Sequence, residues 1–329
     1  MRRRLAILLS VVLLVVLTGF ALTWIETDHY IVLPDRARPT DPLVEIPGEQ
    51  DAQDDSGIYM VDVRVGRANL LERIWPGIHE GASLLPEQAV NPHGVSDTQR
   101  RASSLNDMSR SQLVAIAVAL EHLGRAVEVT PLGAEVTLVL PDSPADGVVQ
   151  IGDVIVAVNG EKVKTTEELR DIFTNVTAGE EVELTVRRED KPMTITVGTR
   201  ADDDEPQRAV MGVEVQNAED FHFPVDVEID AGNIGGPSAG LAFALDIVDE
   251  MGEDLDRGRT IVATGALALD GTVLPIGGVK QKAIGAREAG ADIFLVPDGN
   301  YEEAQNAVDD LQVIPVSTFD EALSALTTR

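Results

Sequence analysis

The hydrophobic pattern changes character four times along the chain. From Leu5 to Trp24 it reads LAILLSVVLLVVLTGFALTW, without a single charge. A helix of that length spans about 30 Å, the hydrocarbon thickness of a bilayer. Residues 25 to about 50 then hold Pro34, Pro39, Pro42 and Pro47 among acids, the composition of a semi-rigid tether, placed at 25–56. Tyr59, Val61, Val63 and Val65 alternate as a strand does, and a helix is expected from Leu70 to Ile78. The polar stretch Asn91–Asn106 is expected to be a loop. SRSQLVAIAVALEHL, Ser109–Leu123, follows as an amphipathic helix with Gly124 as its C-cap.

Residues 125–200 form a β-rich unit. Runs at Ala134–Leu140 and Val154–Val158 flank the turn segment DSPADG. Thr165 and Glu168 are spaced as a capping box for a helix through Asn175. Strands at 181–187 and 193–197 close the unit around a turn containing Pro192. Gly160 permits a tight turn, and Asp153 can accept from nearby backbone amides. Ser143-Pro144-Ala145, Gly147, Ile151-Gly152-Asp153-Val154-Ile155 and Val158-Asn159-Gly160 make this unit resemble a PDZ domain of the bacterial protease-associated type. The resemblance implies binding of an extended peptide as an added strand beside a helix. Leu123-Gly124-Arg125 and Leu132-Gly133-Ala134 both remain open as the carboxylate-binding loop. A PDZ fold acting only as a brace is the competing reading.

Charge adds location. Asp and Glu number 56 against 26 Lys and Arg, a formal charge of −30. Such a surface repels nucleic-acid phosphates, so nucleic-acid binding is set aside. The absence of cysteine excludes disulfides and thiolate chemistry. Arg2, Arg3 and Arg4 precede the apolar run and favour the cytoplasmic side. The expectation is a stub at 1–4, an uncleaved anchor at 5–24 and the remainder outside the cell membrane. A cleaved signal peptide is the alternative, but no A-x-A site follows the run.

Two motifs carry chemistry. Gly235-Gly236-Pro237-Ser238-Ala239-Gly240 opens the helical run LAFALDIVDEM. A serine there lies among free amides at the positive end of a helix dipole, where an oxyanion could be held. The same serine could be an ordinary N-cap, and glycine-rich turns also bind phosphate. No G-x-x-x-x-G-K-[ST] occurs, so a P-loop is unsupported. The second motif is TGALALDGTVLPIGGVKQK, with Lys280 and Lys282 at the start of a helix. A lysine there is electrostatically misplaced: either its side chain is exposed and avoids the cost, or the site lowers its pKa toward that of a general base. Among the histidines only His222 is near Ser238 in sequence, and a Ser-His-Asp triad is disfavoured.

Together GGPSAG and TG…LPIGGVKQK resemble the proteolytic domain of Lon-type peptidases, and the whole chain resembles membrane-anchored PDZ-Lon proteins. The resemblance implies a Ser-Lys dyad. Ser238 is expected as nucleophile and Lys280, the first motif lysine, as base. Thr264 is the threonine touching the dyad lysine, Lys282 is structural, and Gly236 and Pro237 support the site. Gly235 stands where many Lon enzymes carry an acid. The expected fold class is α+β: a transmembrane helix, a PDZ-like domain (125–200) and a Lon-type domain (201–329), with 57–124 as the first part of the protease fold. The expected function is an ATP-independent serine endopeptidase acting on extracytoplasmic proteins. It needs no cofactor or metal, and the resemblance implies a hexamer. A noncatalytic PDZ adaptor at the membrane is the alternative.

Overall fold

The computed structural model of the chain describes residues 2–48, 56–91, 94–189 and 191–327. Met1 of the expected stub, 49–55 of the tether, 92–93 of the loop (with His93), residue 190 of the turn beside Pro192, and 328–329 lie outside the described residues. In chain order the principal elements begin with α1 (Arg2–Leu22), β1 (Glu26–Pro34), β2 (Gly57–Met60), β3 (Val63–Asn69) and β4 (Ser83–Pro86). Next come α2 (Asp97–His122), β5 (Glu128–Val139), β6 (Val154–Val158), α3 (Thr166–Phe173), β7 (Glu181–Arg188), β8 (Lys191–Gly198) and β9 (Val213–His222). The last are α4 (Gly240–Glu250), β10 (Thr260–Ala263), α5 (Val279–Glu288), β11 (Ile293–Pro297), α6 (Tyr301–Ala307), β12 (Gln312–Val316) and α7 (Phe319–Thr327). Helices and strands are mixed as the α+β expectation requires.

The described residues divide into two compact units. The first holds 2–44, 56–91 and 238–327; the second holds 45–48 and 94–237. α1 is long and apolar enough to cross a membrane.

In the first unit β2, β10, β11 and β12 pair in parallel, in that spatial order. Every residue of β11 is buried, the continuous apolar run of a strand covered on both faces. Val262, Phe294 and Val296 from the sheet pack with Val279, Ala283 and Ala286 from α5 and Ala304 from α6. The alternating stretch 57–65 is therefore two strands. β2 joins the parallel sheet, while β3 pairs antiparallel with β1. The second half of the expected helix 70–78 is a separate turn: Leu70–Ile74 is α-helical and Pro76–Ile78 is 3-10, because Pro76 cannot donate into the preceding turn.

The tether needs correction. Its first part is β1, the central strand between β3 and β4. Tyr30, Ile31 and Val32 are 1%, 4% and 6% exposed, so the short apolar run YIVL is core sheet rather than spacer. Pro34 and Pro39 end short strands, Pro42 lies in a 3-10 turn and Pro47 in a turn, so these prolines punctuate structure instead of marking a free linker.

In the second unit the sheet order is β8-β7-β6-β5-β9. Val136, Ile155, Val158, Leu169, Leu184 and Val186 fill its core. The cap at Thr165 is present, its side chain accepting from Glu168 N at 3.2 Å. Glu168 instead accepts from Lys164 N at 2.7 Å, one residue before the box position. The expected loop 91–106 is also corrected. α2 begins at Asp97, where Ser96 and Gln99 form a reciprocal capping box, and buried positions start only at Met108. A solvated first half hides the helical period, so the cap alone marks its start.

Candidate active site

Ser238 lies in a 3-10 turn, Pro237–Ala239, that feeds α4. Its carbonyl is held from two sides. Gly265 N donates to it at 2.9 Å and Thr264 Oγ1 at 3.1 Å, both just past the end of β10. Leu241 N donates back to Gly265 O at 3.1 Å. These bonds fix the first turn of α4 against a buried strand end and leave the half-buried Ser238 hydroxyl free to face α5.

The group it meets is Lys282. Nζ donates to Ser238 Oγ at 2.5 Å and to Thr264 Oγ1 at 3.1 Å. Lys282 is 2% exposed, and Thr264 is fully buried. Burial pushes the Lys282 ammonium down from 10.5 to about 8, and the Asp62 carboxylate nearby partly opposes this. Asp62 itself accepts from Val63 N at 2.7 Å. Gly278 starts α5 with φ 69°, and a Cβ there would lie 3.1 Å from Val63. Glycine thus lets the helix start close to the strand that follows Asp62.

The lysine assignment is accordingly corrected. The structure brings Lys282, not Lys280, to Ser238. Two residues along a helix turn the side chain by about 200°, so only one of the pair can face α4. Lys280 is half-buried on another face. The signal lay in the sequence. Val279, Lys282, Ala283 and Ala286 occupy i, i+3, i+4 and i+7, and all four are buried. Lys282 is the lysine set into an apolar stripe.

Gly236 and Pro237 take less direct roles than expected. Gly236 N donates to Ser104 O at 2.7 Å, so it is spent, and proline has no N–H. A Cβ at Gly235 would press against Ser104, its hydroxyl first, so a side chain there would need Ser104 to move. His222 is exposed at the end of β9, 3.9 Å from Asp220.

The profile of the Lon protease (S16) C-terminal proteolytic domain matches residues 207–329, and that of the PDZ domain matches residues 115–199. The chain thus carries a Lon-type proteolytic domain and a PDZ domain. The Lon protease of Rickettsia bellii (strain RML369-C) is 35% identical over 125 residues, 37% of this chain and 16% of that protein. Lon protease 2 of Bacillus subtilis (strain 168) is 35% identical over 106 residues, 32% of this chain and 18% of that protein. This chain therefore spans less than a fifth of the length of these two relatives. The PDZ domain of an SdrC-like protein from Listeria monocytogenes is 26% identical with a TM-score of 0.25, covering 27% of this chain and 92% of that one. A solution structure from Geobacillus thermodenitrificans is 29% identical with a TM-score of 0.23, covering 25% and 94%.

Proposed function

We propose that this chain is a serine endopeptidase in which Ser238 is the nucleophile and Lys282 the general base. The contact between Lys282 Nζ and Ser238 Oγ, with the lysine's pKa depressed by burial, carries the reading. With a pKa of about 8, roughly a tenth of the lysine is neutral at pH 7. In that form the Ser238 hydroxyl donates to Nζ, and the contact becomes a proton-transfer path. Oγ attacks the peptide carbonyl as its proton passes to Nζ. The ammonium then protonates the leaving amine, and neutral Lys282 next activates the water that hydrolyses the acyl-enzyme. Thr264 Oγ1 accepts a hydrogen bond from Nζ and keeps the amine aimed at Oγ. With Gly236 and Pro237 excluded as donors, the Ser238 amide is the candidate left within 236–238 for the oxyanion.

The wider reading extends this chemistry. α1 anchors the chain, the arginines before it stay in the cytoplasm, and the substrates are unfolded or tail-exposed proteins outside it. Cleavage proceeds without ATP, in a homo-oligomer such as the hexamer the resemblance implies. The PDZ domain supplies recognition or regulation. The test uses the full chain in detergent micelles with fluorescein-labelled unfolded casein. Cleavage without nucleotide, unchanged by ATP and magnesium and abolished in Ser238→Ala, is expected. Equal cleavage by Ser238→Ala would sink the peptidase assignment and leave the membrane adaptor. Stimulation by ATP hydrolysis would sink the ATP independence.

A further inference from the structure

A PDZ domain takes an extended peptide by strand addition at a sheet edge beside a helix. In this chain that edge belongs to β5, which has β6 on one side and α3 near the other. The edge is not open. β9 pairs antiparallel with β5 along nearly its whole length, from Val213 opposite Val139 to His222 opposite Glu128. β9 therefore lies where an added strand would lie, and in the antiparallel sense.

Side chains fasten it there. Asn217 Oδ1 accepts from Thr166 N at 2.8 Å, capping the first turn of α3 from the groove side. Gln216 Nε2 donates to Glu135 Oε2 at 3.1 Å across the ladder. Arg110 of α2 donates to Asn217 O at 3.3 Å and pairs with Glu219 at 2.6 Å. Gly133, opposite Ala218, has φ 147°, and a Cβ there would lie 2.5 Å from Ile155 O. A side chain at Gly133 would therefore run into the β6 backbone, so glycine keeps β5 paired with β6 beside β9. What stays open beside α3 is a cleft against Ala209–Val215, with Leu169 and Phe173 on its other wall.

We propose that β9 is the ligand of the PDZ groove, supplied in cis, so that an extended peptide reaches β5 only when β9 is lifted away. The domain is then a latch on the segment that leads toward Ser238, not an open receptor. An incoming peptide is weakened by the fraction of molecules in which β9 has left. The proposal rests on the strand pairing and the PDZ match, not on the peptidase reading.

The experiment measures binding and exchange rather than cleavage, so the two readings fail separately. The probe is a fluorescent peptide copying residues 213–222, titrated against the full chain in micelles. Amide exchange of β9 is followed in parallel. Successive amides of a strand point to opposite sides, so one of Gln216→Pro and Asn217→Pro must remove a ladder bond. A third variant, Arg110→Ala with Asn217→Ala, loosens β9 without proline. In the wild type the β9 amides are expected to be protected and the peptide to bind weakly. Any variant whose β9 amides lose protection should bind at least about tenfold more tightly. Saturation of the wild type with peptide while the β9 amides stay as protected as without it, through the open cleft or elsewhere, would overturn the proposal. So would freed β9 with no gain in affinity, or β9 amides that stay protected in all three variants.

Discussion

Each unit buries a charged side chain, and the two are treated in opposite ways. In the second unit Asp153 is fully buried and Arg188 meets it with two bonds, at 2.6 and 2.7 Å, while Gln150 N adds a third at 2.9 Å. The carboxylate's hydrogen bond pushes the Arg188 guanidinium up from its ordinary value, so the arginine stays charged near neutrality. In the first unit Lys282 is just as buried, but its bonded partners are two hydroxyls. Its nearest influential carboxylate, Asp62, only softens the cost of burial. A buried charge met by its opposite fastens a loop to a strand. A buried charge met by hydroxyls is held near its titration point, where a proton can move.

The largest test of this contrast removes the base. Lys282→Met should lower kcat on casein by about 10²- to 10⁴-fold, the range of general-base catalysis. Lys280→Met, two residues away, should leave kcat near wild type. Equal losses in the two variants would break the assignment. Wild-type kcat/KM should climb about tenfold per pH unit on the acid side and level off above about pH 8, where Lys282 is neutral.

Removing the partner at the paired site should act on stability instead. Arg188→Met strands the Asp153 carboxylate in the interior, a change that costs about 3–5 kcal/mol when both groups are fully buried. The Arg188 side chain is 24% exposed, so the lower end applies. Urea unfolding followed through exchange of the β6 and β7 amides would measure it. A loss below about 1 kcal/mol would place this pair with ordinary surface ion pairs.

The unpaired site should respond with the opposite sign. Lys282 has a folded pKa below its unfolded value, so its charge penalises the fold fully below about pH 8. The penalty fades as pH rises from there toward 10.5, because the unfolded chain binds the extra proton in that window. A shift of that size corresponds to about 3 kcal/mol at most. Lys282→Met should therefore be inactive yet more stable than wild type at pH 7, with the gain disappearing at alkaline pH. A destabilised Lys282→Met at pH 7 would mean that the lysine is structural.

The same contrast explains what could be read from the chain beforehand. GGPSAG placed Ser238 at a helix start, which needs no tertiary information, but alone it left an ordinary N-cap open; the nucleophile role rested on the second motif and the resemblance. Thr264 was placed by resemblance, and its hydroxyl does meet the lysine. The choice between Lys280 and Lys282 needed the buried face of α5, which the apolar positions of that helix encode but the dipole argument ignores. Arg188 could not be paired with Asp153 from sequence, since 35 positions separate them and only the β-sheet brings them together. β1 was hidden because its apolar core is four residues long and flanked by acids and proline. The closure of the PDZ groove depends on strand order, to which local patterns are blind.

Asp246 offers the smallest and most delicate test. It sits on α4, 2% exposed, with Oδ1 2.7 Å from Thr40 Oγ1 and Oδ2 without a partner. Thr40 Oγ1 also lies 2.9 Å from Ile58 O. One hydroxyl has one proton and cannot donate to both. A protonated Asp246 resolves this, donating to Thr40 Oγ1 while Thr40 donates to Ile58 O. Burial drives its pKa well above the usual carboxylate range, in keeping with that arrangement. A raised folded pKa means stability that is complete below the unfolded value and is lost as pH rises through the folded one. A carboxamide does not titrate and can donate the same bond, so Asp246→Asn should match wild type near pH 4. It should then gain about 1 kcal/mol or more by neutral pH, as the wild type must take up a proton to fold. A variant that loses stability at pH 7 but not at pH 4 would show instead that Asp246 is an ionised carboxylate. It would then be a second buried charge without an opposite, and burial without a counter-ion would no longer single out Lys282.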